Sequence, residues 1–252
     1  MNIRTLSIGM CAATAFIATS VTASDLTMRM VDHDGQSVRY TYDDGEESFA
    51  GRTRAGRFTW ESVGTNNRYQ DAETFNTFCV EIVQPAYYNE DANYSFASVV
   101  EVPSPNAGLG GMVANQAAAL ESLIAQRWTQ ATTGSILEAA AFQLAAWEIV
   151  YEGADVNYGE YGSGAQMTGL STQTGHFRTV NNQQASSLAD SWLASLFNDG
   201  ILGRAFGFTS ASRQDQIAQA VVIPLPAPVA LAGLGLLGVV AGRRRFARTL
   251  TK

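Results

Sequence analysis

Lysine is nearly absent: Lys252, the final residue, is the only one in 252. The body of the chain therefore has no side-chain amine, so no electrophile built there can be consumed by the chain's own lysines. A biased, arginine-using composition explains the same depletion equally well. Histidine is almost as scarce, with only His33 and His176, and cysteine is limited to Cys11 and Cys79. Such a set excludes zinc-type ligand spacing, and no metal or cofactor is expected. There is no glycine-rich phosphate loop and no internal repeat. Positive charge is also sparse outside the ends. Between residues 24 and 222 ten arginines face 23 acidic residues, a balance of −13 that disfavours nucleic acid and anionic lipid as partners.

The two ends read as addresses. Residues 1–23 carry Arg4, an apolar run from Leu6 to Ala18 and then Val21-Thr22-Ala23 before Ser24, the small-residue pattern of a cleaved signal peptide. Cys11 leaves with it. Cys79 then has no intramolecular partner, which makes it a buried structural residue, an intermolecular partner or a reactive thiol. At the other end, Leu225 to Gly242 gives 18 uncharged residues, near the lower limit for a transmembrane helix. Arg243, Arg244, Arg245 and Arg248 follow and predict a cytoplasmic C-terminus, with the globular part outside.

The order of a short proline motif (Ile223-Pro224-Leu225-Pro226-Ala227), an apolar helix and an arginine cluster resembles the PEP-CTERM class of sorting signals. The closest variant reads Val-Pro-Leu-Pro-Ala, with Ile223 here in place of valine. The resemblance covers residues 223–252. It implies an exosortase-type transpeptidase as a partner, and passage from the inner membrane to the envelope or surface of a Gram-negative bacterium. A plain single-pass anchor is the alternative. The division is then signal 1–23, exported body 24–222 and sorting tail 223–252.

Within the body, alternation of Leu26, Met28, Met30, then Val38, Tyr40, Tyr42, then Phe58 and Trp60 predicts strands. Asp32-His33-Asp34-Gly35 and Asp43-Asp44-Gly45 read as hairpin breaks between them, with His33 solvated in the first. The first break also looks like part of a calcium loop, but no glutamate closes a twelve-residue ligand pattern. Phe75–Val83 is the next strand, with Thr77, Cys79 and Glu81 on one face, and Tyr94–Val102 another. The period then changes. Met112–Trp128 and a segment from Ser135 to Tyr151 repeat apolar residues every three or four positions, as helices do. Ser135 with Glu138 forms a capping box, and Leu137, Ala140, Leu144, Trp147 and Tyr151 form the apolar face, with Gln143 at its edge. Residues 153–180, with Tyr158, Tyr161 and His176, read as a long loop, Asn182–Phe197 as a third helix, and 214–223 as a last strand. The class is α+β, an antiparallel β-sandwich or barrel with inserted helices.

Two short stretches carry further meaning. Thr77-Phe78-Cys79-Val80-Glu81 and Ala141-Phe142-Gln143-Leu144-Ala145-Ala146-Trp147 resemble the cysteine and glutamine motifs of the thioester domains of bacterial surface adhesins. That resemblance implies an internal thioester between Cys79 and Gln143. Its partner would be a nucleophile-bearing surface ligand, a protein amine or a polysaccharide hydroxyl, joined covalently without enzymatic turnover. Glu81 stands where that family commonly has aspartate. Two residues along the same strand face from Cys79, it is the expected proton acceptor. The alternative function is a non-enzymatic matrix or envelope protein in which Cys79 packs as a small hydrophobe and Gln143 hydrogen-bonds the strand. A hydrolase built on Cys79 and His176 has only the presence of the two residues behind it.

Overall fold

A computed structural model describes residues 25–63, 74–105, 110–152, 169–197 and 203–220. The signal segment and the sorting tail, with Ile223 to Ala227 and the arginine cluster, lie outside the described residues, as do Tyr158 and Tyr161. Among the described residues no helix is long and apolar enough to cross a membrane.

The fold is α+β. Seven strands form one sheet: β1 (Asp25–Asp43), β2 (Ser48–Ser62), β3 (Phe75–Cys79), β4 (Asp91–Ala97), β5 (Phe177–Thr179), β6 (Ala205–Thr209) and β7 (Gln216–Gln219). The order is β2-β3-β7-β6-β4-β1-β5, every ladder is antiparallel, and a further β1–β2 pairing joins β2 back to β1 so that six of the strands form a hydrogen-bonded ring. Among the described residues three α-helices accompany the sheet: α1 (Ala114–Thr133), α2 (Ile136–Tyr151) and α3 (Gln183–Leu193).

The first predicted hairpin break does not exist. β1 runs straight through Asp32-His33-Asp34-Gly35, with one irregularity between Met30 and Asp32, and Gly35 pairs with Gly56. The glycine there serves close approach instead of a turn. A Cβ on Gly56 would strike the Asp34 carbonyl oxygen and the Gly35 Cα, so the two backbones meet where only glycine fits. His33 is accordingly not solvated. Its ring stacks on Phe58 at 4.0 Å, and burial lowers its pKa to about 4. Asp34 accepts from Arg57 at 2.7 Å, and the same guanidinium donates to the carbonyls of Thr132 and Gly134. The salt bridge thus ties the hairpin to the end of α1, where orphan carbonyls need donors. The second break is present, as Asp44 accepts from the backbone N–H groups of Glu46 and Glu47 between β1 and β2.

Two strand ends fall short of their predicted limits. β3 stops at Cys79, not Val83, and β4 stops at Ala97, where a short 3₁₀ turn (Val99–Glu101) follows.

Helix α2 positions the site. Ser135 caps it in a complete capping box with Glu138. Every side chain from Ala139 to Tyr151 is buried, so the helix is central and not merely amphipathic. Its five alanines make that possible, because small side chains let α1, α3 and strands β1 and β2 all pack against it.

Candidate functional site

At the end of β3 the chain brings Cys79 to the middle of α2. Strand pairing holds it from one side, with Phe78 opposite Ile217 and Cys79 opposite Gln216 on β7. Aromatic packing holds the helix side, with Phe78 against Phe142 at 4.3 Å. Gln143 is therefore not at the edge of an apolar face. It is fully buried, as a core position on a helix enclosed all round must be.

A buried carboxamide needs partners for both ends, and Cys79 supplies them. The Gln143 Nε2 donates to the Cys79 carbonyl at 2.7 Å, and the Cys79 backbone N–H donates to Gln143 Oε1 at 3.1 Å. This two-point grip sets the amide beside the thiol, whose sulfur lies 3.4 Å from the same Oε1. The two residues that the sequence paired across 64 positions are in contact. Cys79 is the free cysteine of the described residues and is 1 % exposed.

Electrostatics keep the thiol neutral. Burial pushes its pKa well above the ordinary range, the charge of Glu81 raises it further, and the Trp147 side chain and a backbone hydrogen bond oppose this. Charge developing on Gln143 Oε1 during attack on its amide carbon would meet the Cys79 N–H that already points at it.

Glu81 is buried next to this pair but makes no hydrogen bond to the sulfur among the described residues. Its Oε2 accepts from the backbone N–H groups of Val83 and Gln84 at 2.6 and 2.8 Å, and its Oε1 from that of Asp215 at 3.2 Å. Desolvation raises its pKa to about 7 despite these donors. The carboxyl group shapes the bend that ends β3 and fastens it to the segment before β7. Asp215 continues the network by accepting from Ser104 and Ser210 backbone N–H groups at 2.6 and 2.8 Å, and the Gln214 side chain donates to the Glu81 carbonyl at 2.6 Å. Thr77, on the same face as Cys79, links Trp60 to Gln216 through its hydroxyl.

His176 belongs to another part of the molecule's chemistry. Its ring packs against Tyr42 and its backbone N–H donates to Glu152, while the sulfur of Cys79 bonds Gln143. No hydrolase pair forms from these contacts. Among the described residues no cluster of three or more His, Cys, Asp or Glu side chains suits a metal ion.

Sequence reasoning missed Tyr151, which fastens the chain just beyond Cys79. Gln143, Trp147 and Tyr151 recur at four-residue spacing on α2, and the Tyr151 hydroxyl accepts from the Ile82 backbone N–H at 2.9 Å. The spacing was visible; its polar edge was read only as apolar.

The buried carboxyls set a pH dependence. Glu148 is held at about 9, first by desolvation and then by the charges of Glu152 and Asp190, and Glu81 at about 7. Both folded values lie above the ordinary 4.5, so the native state binds more protons than the unfolded chain between 4.5 and those values. Their stabilisation is complete below 4.5 and is lost as pH rises through about 7 and about 9, at up to about 1.4 kcal/mol per pH unit per group. The urea midpoint should accordingly be higher at pH 5 than at pH 8. An unchanged or rising midpoint would show that these carboxyls ionise normally.

The chain matches no described protein family, no curated protein and no solved structure, so the site stands on its own geometry.

Proposed function

We propose that the exported body condenses Cys79 with Gln143 into an internal thioester and uses it for one covalent attachment to a nucleophile on a partner surface. The observation that carries this reading is the two-point grip, which holds an otherwise unactivated carboxamide against the free thiol of the described residues. In the step itself the sulfur bonds to the Gln143 amide carbon, the C–N bond breaks, and the thiol proton leaves with the nitrogen as ammonia. No co-reactant is required. The link that follows is stoichiometric and not enzymatic: a partner amine or hydroxyl takes the acyl group of Gln143 and frees the Cys79 thiol. Burial of the pair keeps water from the acyl donor, and the lack of lysine removes competing amines. The ring of strand pairings supports the barrel over the sandwich as the scaffold.

Residues 223–252 fit the companion proposal, that an exosortase-type transpeptidase cuts near Pro226-Ala227 and moves the body from the inner membrane to the envelope or surface. A second reading keeps the same export but makes the body a structural matrix or envelope protein. Its support is that both ends of the Gln143 amide are already satisfied by the Cys79 backbone, as an inert core amide requires.

Intact-mass analysis of protein recovered from the cell surface under neutral, amine-free conditions decides among these. The expected chain ends near the proline motif, weighs one ammonia less than its sequence, and gains one methylamine at Gln143 on incubation. Recovery through Lys252 would reject sorting. Full mass with no methylamine uptake would leave the structural reading.

A further inference from the structure

Residues 171–179 form a strap bound to α2 and α3, and three carboxyl groups hold it there. Glu148 Oε1 accepts from the Ser171 backbone N–H at 2.7 Å. Asp190 accepts from the Thr172 N–H at 2.8 Å, from its hydroxyl at 2.9 Å and from the Gln173 side chain at 2.8 Å, while Glu152 accepts from the His176 N–H at 3.0 Å. Sheet pairing adds little. The strap ends in β5, three residues long, which sits at the edge of the sheet and pairs with β1 alone among the described strands. Its anchor in the core is Phe177, fully buried at 6.1 Å from Trp147 and 6.0 Å from Tyr151.

Glu148 differs from the other two carboxyls. It is fully buried, yet its Oε2 has no hydrogen-bond partner among the described residues. The serine whose N–H it holds also sends its hydroxyl to Asp190 Oδ2 at 3.4 Å, so two carboxyl groups converge on Ser171. A dry carboxylate with one oxygen bare beside a like charge is costly, and a proton removes that cost. Its acidic neighbours are Glu152 on α2 and Asp190 on α3; the strap's His176 and Arg178, and Tyr42 on β1, face Glu152 instead. Burial and those two charges push the Glu148 carboxyl up to about 9, in agreement with the geometry.

We propose that this strap is a proton-dependent latch: Glu148 holds it down while protonated, and loss of that proton releases residues 171–179 from α2 and α3. Ionisation leaves a bare charge that must reach water, and of its surroundings the strap is the easiest to move. α2 is enclosed on all sides, whereas the strap leans on three residues of an edge strand. Release lifts Phe177 from Tyr151, whose hydroxyl accepts from the Ile82 N–H just beyond Cys79. The latch goes beyond the thioester reading and does not depend on it. In the closed strap Glu148 keeps its proton up to about 9, and in the open strap it returns to the ordinary 4.5. The opening equilibrium therefore rises with pH within that interval, by up to about tenfold per pH unit, and levels off above it.

Hydrogen exchange read by mass spectrometry on the full-length exported protein tests the latch. After correction for the intrinsic exchange rate, protection of the 171–179 amides should fall by about tenfold or more between pH 6 and pH 8, while that of α2 changes less. Glu148→Gln keeps an acceptor for the Ser171 N–H and cannot ionise, so its strap protection should stay flat over the same range. If that variant misfolds, the wild-type chain alone still decides, because global unfolding lowers strap and α2 protection together and the latch lowers the strap's first. Strap protection that is flat in the wild-type chain, that falls in step with α2, or that falls equally in Glu148→Gln would overturn the latch. None of these results bears on the ammonia deficit, so the latch and the thioester fail separately.

Discussion

Replacing Gln143 with glutamate yields a folded chain of full mass that takes up no methylamine. Glutamate has no ammonia to lose, so the thioester cannot form by the same route. Its Oε1 can still accept from the Cys79 N–H, and a neutral carboxyl in this dry position can donate to the Cys79 carbonyl where the amide does now. Cys79→Ser should behave likewise, since a hydroxyl at that position is a far weaker nucleophile. Gln143→Ala is a different experiment. The side chain is wholly buried, and its loss would leave the Cys79 N–H and carbonyl without partners beside a cavity, a cost of about 3–5 kcal/mol. Alanine therefore tests stability and glutamate tests chemistry. Urea unfolding of the three variants separates the two effects, and mass spectrometry of each reads the bond. A glutamate variant that still shows the ammonia deficit would move the bond to another residue.

Glu81→Ala should be the most damaging change near the site, and Glu81→Gln should be mild. Alanine strips the acceptor from three backbone N–H groups, of Val83, Gln84 and Asp215, at about 1–3 kcal/mol for each one left dry. The bend after Cys79 would loosen, and with it the strand end that grips Gln143. Glutamine keeps one acceptor oxygen and removes the charge that raises the thiol's pKa. If Glu81 acts as scaffold, the glutamine variant still loses ammonia while the alanine variant has a lower urea midpoint and an incomplete deficit. A glutamine variant that folds normally yet keeps full mass would instead make Glu81 the proton acceptor that the motif around Cys79 implies, although β3 ends before reaching it.

Local pattern made much of this architecture legible. The capping box at Ser135 placed the start of α2 within the sequence, and the four-residue apolar period placed its extent. The short motifs around Cys79 and Gln143 paired two residues that the structure brings into contact. Where local pattern failed, the deciding contact was distant. Gly35 was read as a turn because glycine serves turns and close backbone approach alike, and only the facing Gly56 tells them apart. Gln143 reads as a helix-edge residue because its own helix shows one apolar stripe, whereas the alanines are buried as well and α1, α3, β1 and β2 all pack on the helix. Glu81 reads as a proton acceptor because its backbone donors, Val83, Gln84 and the distant Asp215, leave no mark in the pattern of residue types. A sequence displays residue types and periods, but not which backbone donors a buried carboxylate will satisfy.

The ring of strands also imposes an order of events on the maturing chain. The contacts that set the site span 64 residues from Cys79 to Gln143 and 134 from Glu81 to Asp215. Closing loops of that length is slow relative to forming α2, whose contacts are local. Cys79 is paired on its β7 side only once Gln216 arrives, and β7 is the last strand described. A chain emerging N-terminus first thus presents its thiol long before the grip that holds the amide is complete. The geometry around Cys79 is thus a late product of folding, complete only when the last strand described has been added, so a chain lacking its final segment holds the thiol without its full frame.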